Sequence, residues 1–245
     1  MSYANSRIPS SAQAGVHEHL ARAVERHAAA PFRKPYATYN EHAVERALEG
    51  WDGRAPLILD AGCGVAHSTI QIARANPDAR VIGVDQSEDR LSRRKPYPEA
   101  LLPGKMLLVR ADLVDFWRLL VDRGIRLHAH YILYPNPWPK IGHLGRRWHA
   151  HPVFPFVPRL GGRLEMRTNW QVYGEEFALA LGLLTGRSVS CESYEAETPL
   201  TPFERKYRDS GQALYRVSLD LGDVRLDGPA EAVHASAGIQ RESQR

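Results

Sequence analysis

Cysteine is scarce in this chain. Only Cys63 and Cys191 occur in 245 residues, and neither sits in a Cys-x-x-Cys or mixed Cys/His pattern of zinc-ligand spacing. That argues against a disulfide framework or a zinc finger. Long apolar runs are missing too. No stretch approaches the roughly 18 uninterrupted apolar residues of a membrane span, and the first residues are polar where a signal peptide carries its apolar core. The expectation is a soluble, cytoplasmic protein with no membrane partner. Neither sign of charge dominates: 32 Lys and Arg against 28 Asp and Glu give +4, which permits nucleic acid as a partner without demanding it. Internal repeats and long low-complexity tracts are also lacking. What is present is an ordinary globular balance, 43% hydrophobic and 24% charged, which excludes a wholly disordered chain. Arg is far commoner than Lys, favouring planar, forked recognition of phosphate or carboxylate.

The organisation reads as one domain with appendages. Residues 1–40 form an N-terminal extension with a possible helix through His17–His27, interrupted by Pro31-Phe32-Arg33-Lys34-Pro35-Tyr36. From Leu57, β-rich runs alternate with helical windows: strands at Leu57–Asp60, Arg80–Asp85, Met106–Arg110, Ala129–Tyr134 and Arg163–Thr168, with helices at Ala66–Ala75, Glu88–Lys95, Leu113–Asp122 and Val172–Leu184. Two later runs, Ser188–Tyr194 and Ala213–Leu221, bring the candidate strands to seven. Such alternation predicts an α/β fold, a mostly parallel doubly wound sheet covered by helices, over residues 41–222. The tail, 223–245, has no apolar period to anchor it and is expected to be disordered.

Leu57-Ile58-Leu59-Asp60-Ala61-Gly62-Cys63-Gly64-Val65-Ala66 places a buried strand before a glycine turn and a helix. Gly62 and Gly64 let the backbone turn sharply and approach a ligand closely. Asp85 closes the second strand, where a carboxylate can accept from ribose hydroxyls, and Asp112 follows the third, where it can accept from an adenine amino group. Each could instead be a plain helix N-cap. Together the acidic residues on three successive strands favour an adenosine ligand. The Asp60-x-Gly-x-Gly turn with these carboxylates resembles the class I S-adenosylmethionine-dependent methyltransferases, whose third Gly is replaced here by Ala66. The resemblance implies S-adenosyl-L-methionine as cofactor, bound by Asp60, Gly62, Gly64, Asp85 and Asp112, and a Rossmann-like sheet with its seventh strand antiparallel beside the sixth.

The fourth strand runs into Tyr134-Pro135-Asn136-Pro137-Trp138-Pro139-Lys140. Prolines on both sides restrict the backbone, so an Asn amide and a Trp ring can be held in fixed positions. The plain alternative is a Pro-rich turn with a core Trp. Next come His143, Arg146, Arg147, His149 and His151 around Trp148, a set that suits RNA phosphates with an aromatic stacking partner, or else a solvated helix face. No Asp, Glu or Cys joins the histidines at ligand spacing, so metal is not expected.

These segments, with Gly161-Gly162, the strand ending Thr168-Asn169, Tyr173, Thr201-Pro202-Phe203-Glu204 and Gly211 following in order, are similar to the bacterial tRNA (guanine-N7)-methyltransferases over roughly residues 55–220. The resemblance implies tRNA as partner, Asn136 at the catalytic position before Pro-Trp, and substrate contacts from Lys140, Arg146, Arg147, Asn169, Thr201, Phe203 and Glu204. Two positions that are Asp in the family, 136 and 169, are Asn here. Guanine N7 has an exposed lone pair and needs no general base, so positioning can supply much of the catalysis. An Asn offers one acceptor and one donor where a carboxylate offers only acceptors. Asn-Pro-Trp is also similar to the Asn-Pro-Pro-aromatic motif of methyltransferases acting on exocyclic amines, less its second proline. A noncatalytic RNA-binding protein on the same fold is the remaining alternative.

Overall fold

The computed structural model describes residues 9–93 and 106–222. The tail from residue 223, and the last two residues of the helix expected at Glu88–Lys95, lie outside the described residues. In chain order the elements are α1 (Leu20–Ala29), α2 (Thr38–Leu48), β1 (Leu57–Ala61), α3 (His67–Ala75), β2 (Arg80–Asp85), α4 (Glu88–Ser92), β3 (Met106–Arg110), α5 (Leu113–Asp122), β4 (Ala129–Leu133), β5 (Arg163–Thr168), α6 (Gln171–Thr185), β6 (Cys191–Tyr194), α7 (Pro202–Asp209) and β7 (Leu214–Asp220).

The strands form one sheet in the order β3-β2-β1-β4-β5-β7-β6. β1 to β5 are parallel, and β7 runs antiparallel between β5 and β6, as expected from the resemblance. Because side chains alternate along a strand, the central strands feed two cores. Leu57, Leu59, Ile82 and Val84 face the larger, with α1, α2, α5 and α6. Ile58 and Val81 face the smaller, against Ile72 and Ala73 of α3. Covering both faces is what parallel strands with continuous apolar runs require. Strand order reverses at β1, so the C-terminal ends of β1, β2 and β4 open the crevice where such sheets bind ligands.

Three features differ from the sequence reading. The N-terminal extension is built into the fold: α1 buries Leu20, Ala23 and Val24 at helical spacing, and the expected boundary at residue 40 falls inside α2. The basic segment after β4 forms a series of short 3₁₀ turns, Ile141–Arg146, Trp148–Ala150, Phe154–Phe156 and Pro158–Leu160, because Gly and Pro punctuate it too often for an α-helix. Residues 202–209, to which the sequence reading assigned no element, form a helix. The Thr201 hydroxyl accepts from the Glu204 amide at 2.9 Å and Pro202 occupies the first turn, which starts α7.

Candidate active site

The glycine turn leaves β1 with Gly62 at φ 82° and Gly64 at φ 57°, values that glycine adopts freely. The amides of Gly62 and Cys63 donate to Val84 O at 2.8 and 3.0 Å, fastening the turn to β2. Beyond each glycine's own chain neighbours, no atom stands within 4 Å of where a Cβ would sit on Gly62 or Gly64. Ala66, where many family members have a third Gly, also adopts φ 62°, so its side chain is held at a cost of roughly 1 kcal/mol.

Asp60 lies beneath this turn, 1% exposed. Its Oδ2 accepts from Ser68 Oγ at 2.6 Å and Thr69 Oγ1 at 2.7 Å, tying the first turn of α3 to β1. Burial raises its pKa to about 6, against the pull of these two hydroxyls. The geometry makes Asp60 a support of the turn more than an open ligand group. Asp85 closes the crevice from β2: its carboxylate accepts from Gly64 N at 3.0 Å and Ser87 N at 2.8 Å, with Arg90 Nη1 at 3.7 Å.

Asp112 does cap a helix, accepting from Val114 N at 2.9 Å. Its other oxygen meets Lys34 Nζ at 3.5 Å. The N-terminal segment thus reaches the third-strand end of the crevice. Asn40 fixes it there: fully buried, its Oδ1 accepts from Asp112 N at 2.9 Å and its Nδ2 donates to Asp115 at 2.7 Å. Phe32 and Tyr36 pack over the Arg118 guanidinium at 4.7 and 4.2 Å.

At the end of β4, Tyr134 (φ 52°) and Trp138 (φ 45°) both hold left-handed backbone that bulky residues rarely adopt. Each such residue costs about 1–3 kcal/mol and persists only where its surroundings over-determine it. Here Tyr134 N donates to Arg167 O at 2.8 Å, and Arg147 donates to Trp138 O from Nε at 3.3 Å and Nη2 at 3.2 Å. Asn136 sits exposed at the apex, its Oδ1 accepting from Trp138 N at 3.4 Å.

The basic segment splits. Arg146 and Lys140 are exposed, and the Arg146 guanidinium lies 4.8 Å from the Trp138 ring centre. Arg147, expected on RNA phosphate, is instead completely buried: its Nη1 meets Glu176 Oε2 at 2.7 Å, and Glu176 also accepts from His149 Nε2 at 2.8 Å. Burial opposes a charge on Glu176, but the His149 hydrogen bond and the Arg147 guanidinium outweigh it and hold its pKa down to about 2. Trp148, expected to stack on RNA, packs edge-on against Trp117 at 4.8 Å. Arg147 and Trp148 face inward because Glu176 and Trp117 give them partners that water cannot match.

Glu204, expected to contact substrate, is instead fully buried. It accepts from Arg167 Nη1 at 2.9 Å, Tyr134 Oη at 3.2 Å, Tyr194 Oη and Leu200 N. Leu200 O in turn meets His67 Nδ1 at 3.0 Å, which places the start of α7 between the start of α3 and the β4 corner. Phe203 remains 57% exposed and stacks near Tyr207. Asn169, 8% exposed, donates to Gln212 Oε1 at 2.8 Å. Gln212 and Arg208 line a cleft of about 770 Å³ beside β6 and β7.

The rim therefore assembles Gly62, Gly64, Asp85, Asp112, Asn136 and Asn169 at the C-terminal ends of parallel strands. Arg147 stays behind it. Sequence reasoning missed Asn40, Asp115, Glu176 and Tyr194. Glu176 carried a signal, a carboxylate directly abutting the apolar run Phe177–Leu184 of the expected helix. Among the described residues no group of three or more His, Cys, Asp or Glu could hold a metal ion, and no helix is long and apolar enough to cross a membrane.

Comparison with known proteins agrees with this geometry. The model of a family described as "Putative methyltransferase" matches residues 54–217. The tRNA (guanine-N(7)-)-methyltransferase of Stutzerimonas stutzeri (strain A1501) is 31% identical over 188 residues, covering 71% of this chain and 74% of that protein. The protein of the same name from Pseudomonas aeruginosa (strain UCBPP-PA14) is 29% identical over 190 residues, covering 71% and 72%. Among solved structures, one described as an antibiotic-related methyltransferase aligns with a TM-score of 0.51 at 15% identity, covering 76% of this chain and 96% of that one. With the fold in common and the matches running through the glycine turn and the β4 corner, the chain belongs to the bacterial tRNA (guanine-N7)-methyltransferase family of class I S-adenosylmethionine-dependent methyltransferases.

Proposed function

We propose that this protein methylates N7 of a guanine in tRNA, in the cytoplasm, with S-adenosylmethionine as donor. The observation that carries the reading is the strained Tyr134–Trp138 corner, which stands at the end of β4 next to the glycine turn of β1. Open space at Gly62 and Gly64 fits a ligand lying close against the backbone. Asp85 would hold the ribose and Asp112 the adenine end of the cofactor, with Asp60 fixing the turn from below. When bound, the cofactor supplies a sulfonium methyl open to nucleophilic attack.

The chain's own contribution is then placement. Guanine N7 attacks through its lone pair with no proton to remove, so in-line approach is the main requirement. Among the described residues the Asn136 Nδ2 has no hydrogen-bond partner, and it can donate to guanine O6 beside N7; its Oδ1 can accept from a base N–H. Asn169 stands at the end of β5 on the other flank of the corner. Lys140 and Arg146, exposed beside Trp138, supply charge for the phosphate backbone. Phe203, exposed on α7, offers a face for stacking. Thr201 and Glu204 act through the position of α7. Transfer of labelled methyl from S-adenosylmethionine to unmodified tRNA, followed by nucleoside identification, tests this. The expected product is alkali-labile N7-methylguanosine; label on an exocyclic amine, or none on tRNA, would overturn it.

A further inference from the structure

The rim is not the only place where the fold gathers positive charge. A groove of about 480 Å³ runs between α1 and the turn Ile141–Arg146, two segments more than a hundred residues apart in the chain. His19, Arg22, Arg26 and His27 form one wall, and Leu144 and Gly145 belong to the other. Arg22 and Arg26 are exposed one helical turn apart, about 5–6 Å between their Cβ atoms. Among the described residues neither has a carboxylate partner, and no carboxylate lines the groove; Glu18 and Glu25 of α1 lie outside its lining. Leu144 is the one large apolar side chain in the lining, which disfavours an apolar protein anchor.

Position adds to charge. The turn Ile141–Arg146 follows directly on Pro139-Lys140, and Arg146 covers the Trp138 ring. Ser11 Oγ donates to Pro139 O at 2.6 Å, so the N-terminal segment is also fastened to the corner. The groove therefore borders, through Leu144 and Gly145, the turn that follows the corner, and continues along α1.

We propose that this groove holds the sugar-phosphate backbone of the RNA flanking the methylated base, with Arg22 and Arg26 as phosphate contacts. The inference rests on the RNA substrate proposed above. Binding of unmodified tRNA is measured from low to moderate salt for the wild type, for Arg22→Glu/Arg26→Glu and for Arg22→Gln/Arg26→Gln. Arg54→Glu, which precedes β1 at the N-terminal ends of the parallel strands and is 91% exposed at its side chain, serves as control, and S-adenosylmethionine binding reports an intact fold. The expected result is tRNA affinity at least tenfold weaker in both double variants, with a slope of log affinity against log salt shallower by about two. The control and cofactor affinity should stay within about twofold. Wild-type binding with unchanged affinity and slope in the double variants would overturn the groove assignment alone. A wild-type protein that neither binds nor methylates tRNA would overturn the substrate reading and this inference with it.

Discussion

Beneath the rim, a single residue can have little room to change. Gly83 of β2 lies opposite Asp60 in the sheet, and a Cβ there would come within 2.6 Å of Thr69 Oγ1 and 2.9 Å of Leu108 Cδ2. Thr69 is one of the two hydroxyls that hold Asp60. Gly83→Ala should therefore cost about 1–3 kcal/mol through overpacking and also loosen the glycine turn. A fall in the denaturant midpoint accompanied by weaker S-adenosylmethionine binding is the expected pair of results; lost stability with unchanged cofactor affinity would separate Gly83 from the site. The sequence made the glycines and acidic residues visible, because each closes a strand. It did not distinguish Asp60, which accepts from two α3 hydroxyls, from Asp85, equally buried but accepting from the Gly64 amide of the turn itself, since that depends on which way α3 crosses the sheet.

Among the elements, the clearest dependence is that of the β4 corner on α6. Glu176 holds Arg147, and Arg147 holds the Trp138 carbonyl. The same carboxylate accepts from Gln13 Nε2 at 2.6 Å and His17 N at 3.0 Å, so it also anchors the N-terminal segment. Breaking a buried pair by removing one partner costs about 3–5 kcal/mol. Glu176→Gln should destabilise the protein by an amount of that order and lower kcat for methyl transfer more than it raises KM for tRNA, as the corner loses its fixed geometry. Equal activity per folded molecule would show that Arg147 holds the corner without help. Arg147 is also where the sequence misled: in a run of cations it reads as surface, and only the partner 29 residues later reverses that. α2 was missed for a related reason. Its apolar stripe is mostly small, Ala43, Val44 and Ala47, and it follows a Pro-rich stretch, so its period is weak until α5 packs against it.

At the level of the whole molecule, the strand rhythm was legible because strands covered on both faces carry apolar runs, as in β2 and β3, while β5 alternates Leu164 and Met166 with polar residues; all three begin and end where expected. One part of the fold's acid response comes from a group the sequence did not single out. His130 of β4 is fully buried, with Trp117 Nε1 donating to its Nε2 at 3.0 Å and no hydrogen-bond partner on Nδ1. Burial lowers its pKa from 6.5 to about 3. Between those values the unfolded chain binds a proton that the folded one does not, so this contribution is complete above about pH 6.5 and is lost as pH falls toward 3. Its slope approaches about 1.4 kcal/mol per pH unit. His130→Gln keeps an acceptor for Trp117 but cannot titrate. Unfolding by urea at pH 7 and pH 5 should show a smaller acid loss in His130→Gln than in the wild type, whereas identical losses would contradict the assignment.

The central claim is that one sheet edge is divided between donor and acceptor, with the glycine turn and Asp85 on the cofactor side and the Asn136 corner on the base side. Calorimetric titration of S-adenosylmethionine into Asp85→Ala and Asn136→Ala, paired with methyl transfer by the same preparations, tests that division most directly. The account predicts cofactor affinity at least tenfold weaker in Asp85→Ala. In Asn136→Ala it predicts affinity within about twofold of wild type and a methyl-transfer rate lower by about 10²-fold. Equal loss of cofactor affinity in both variants, or full transfer activity in Asn136→Ala, would contradict it.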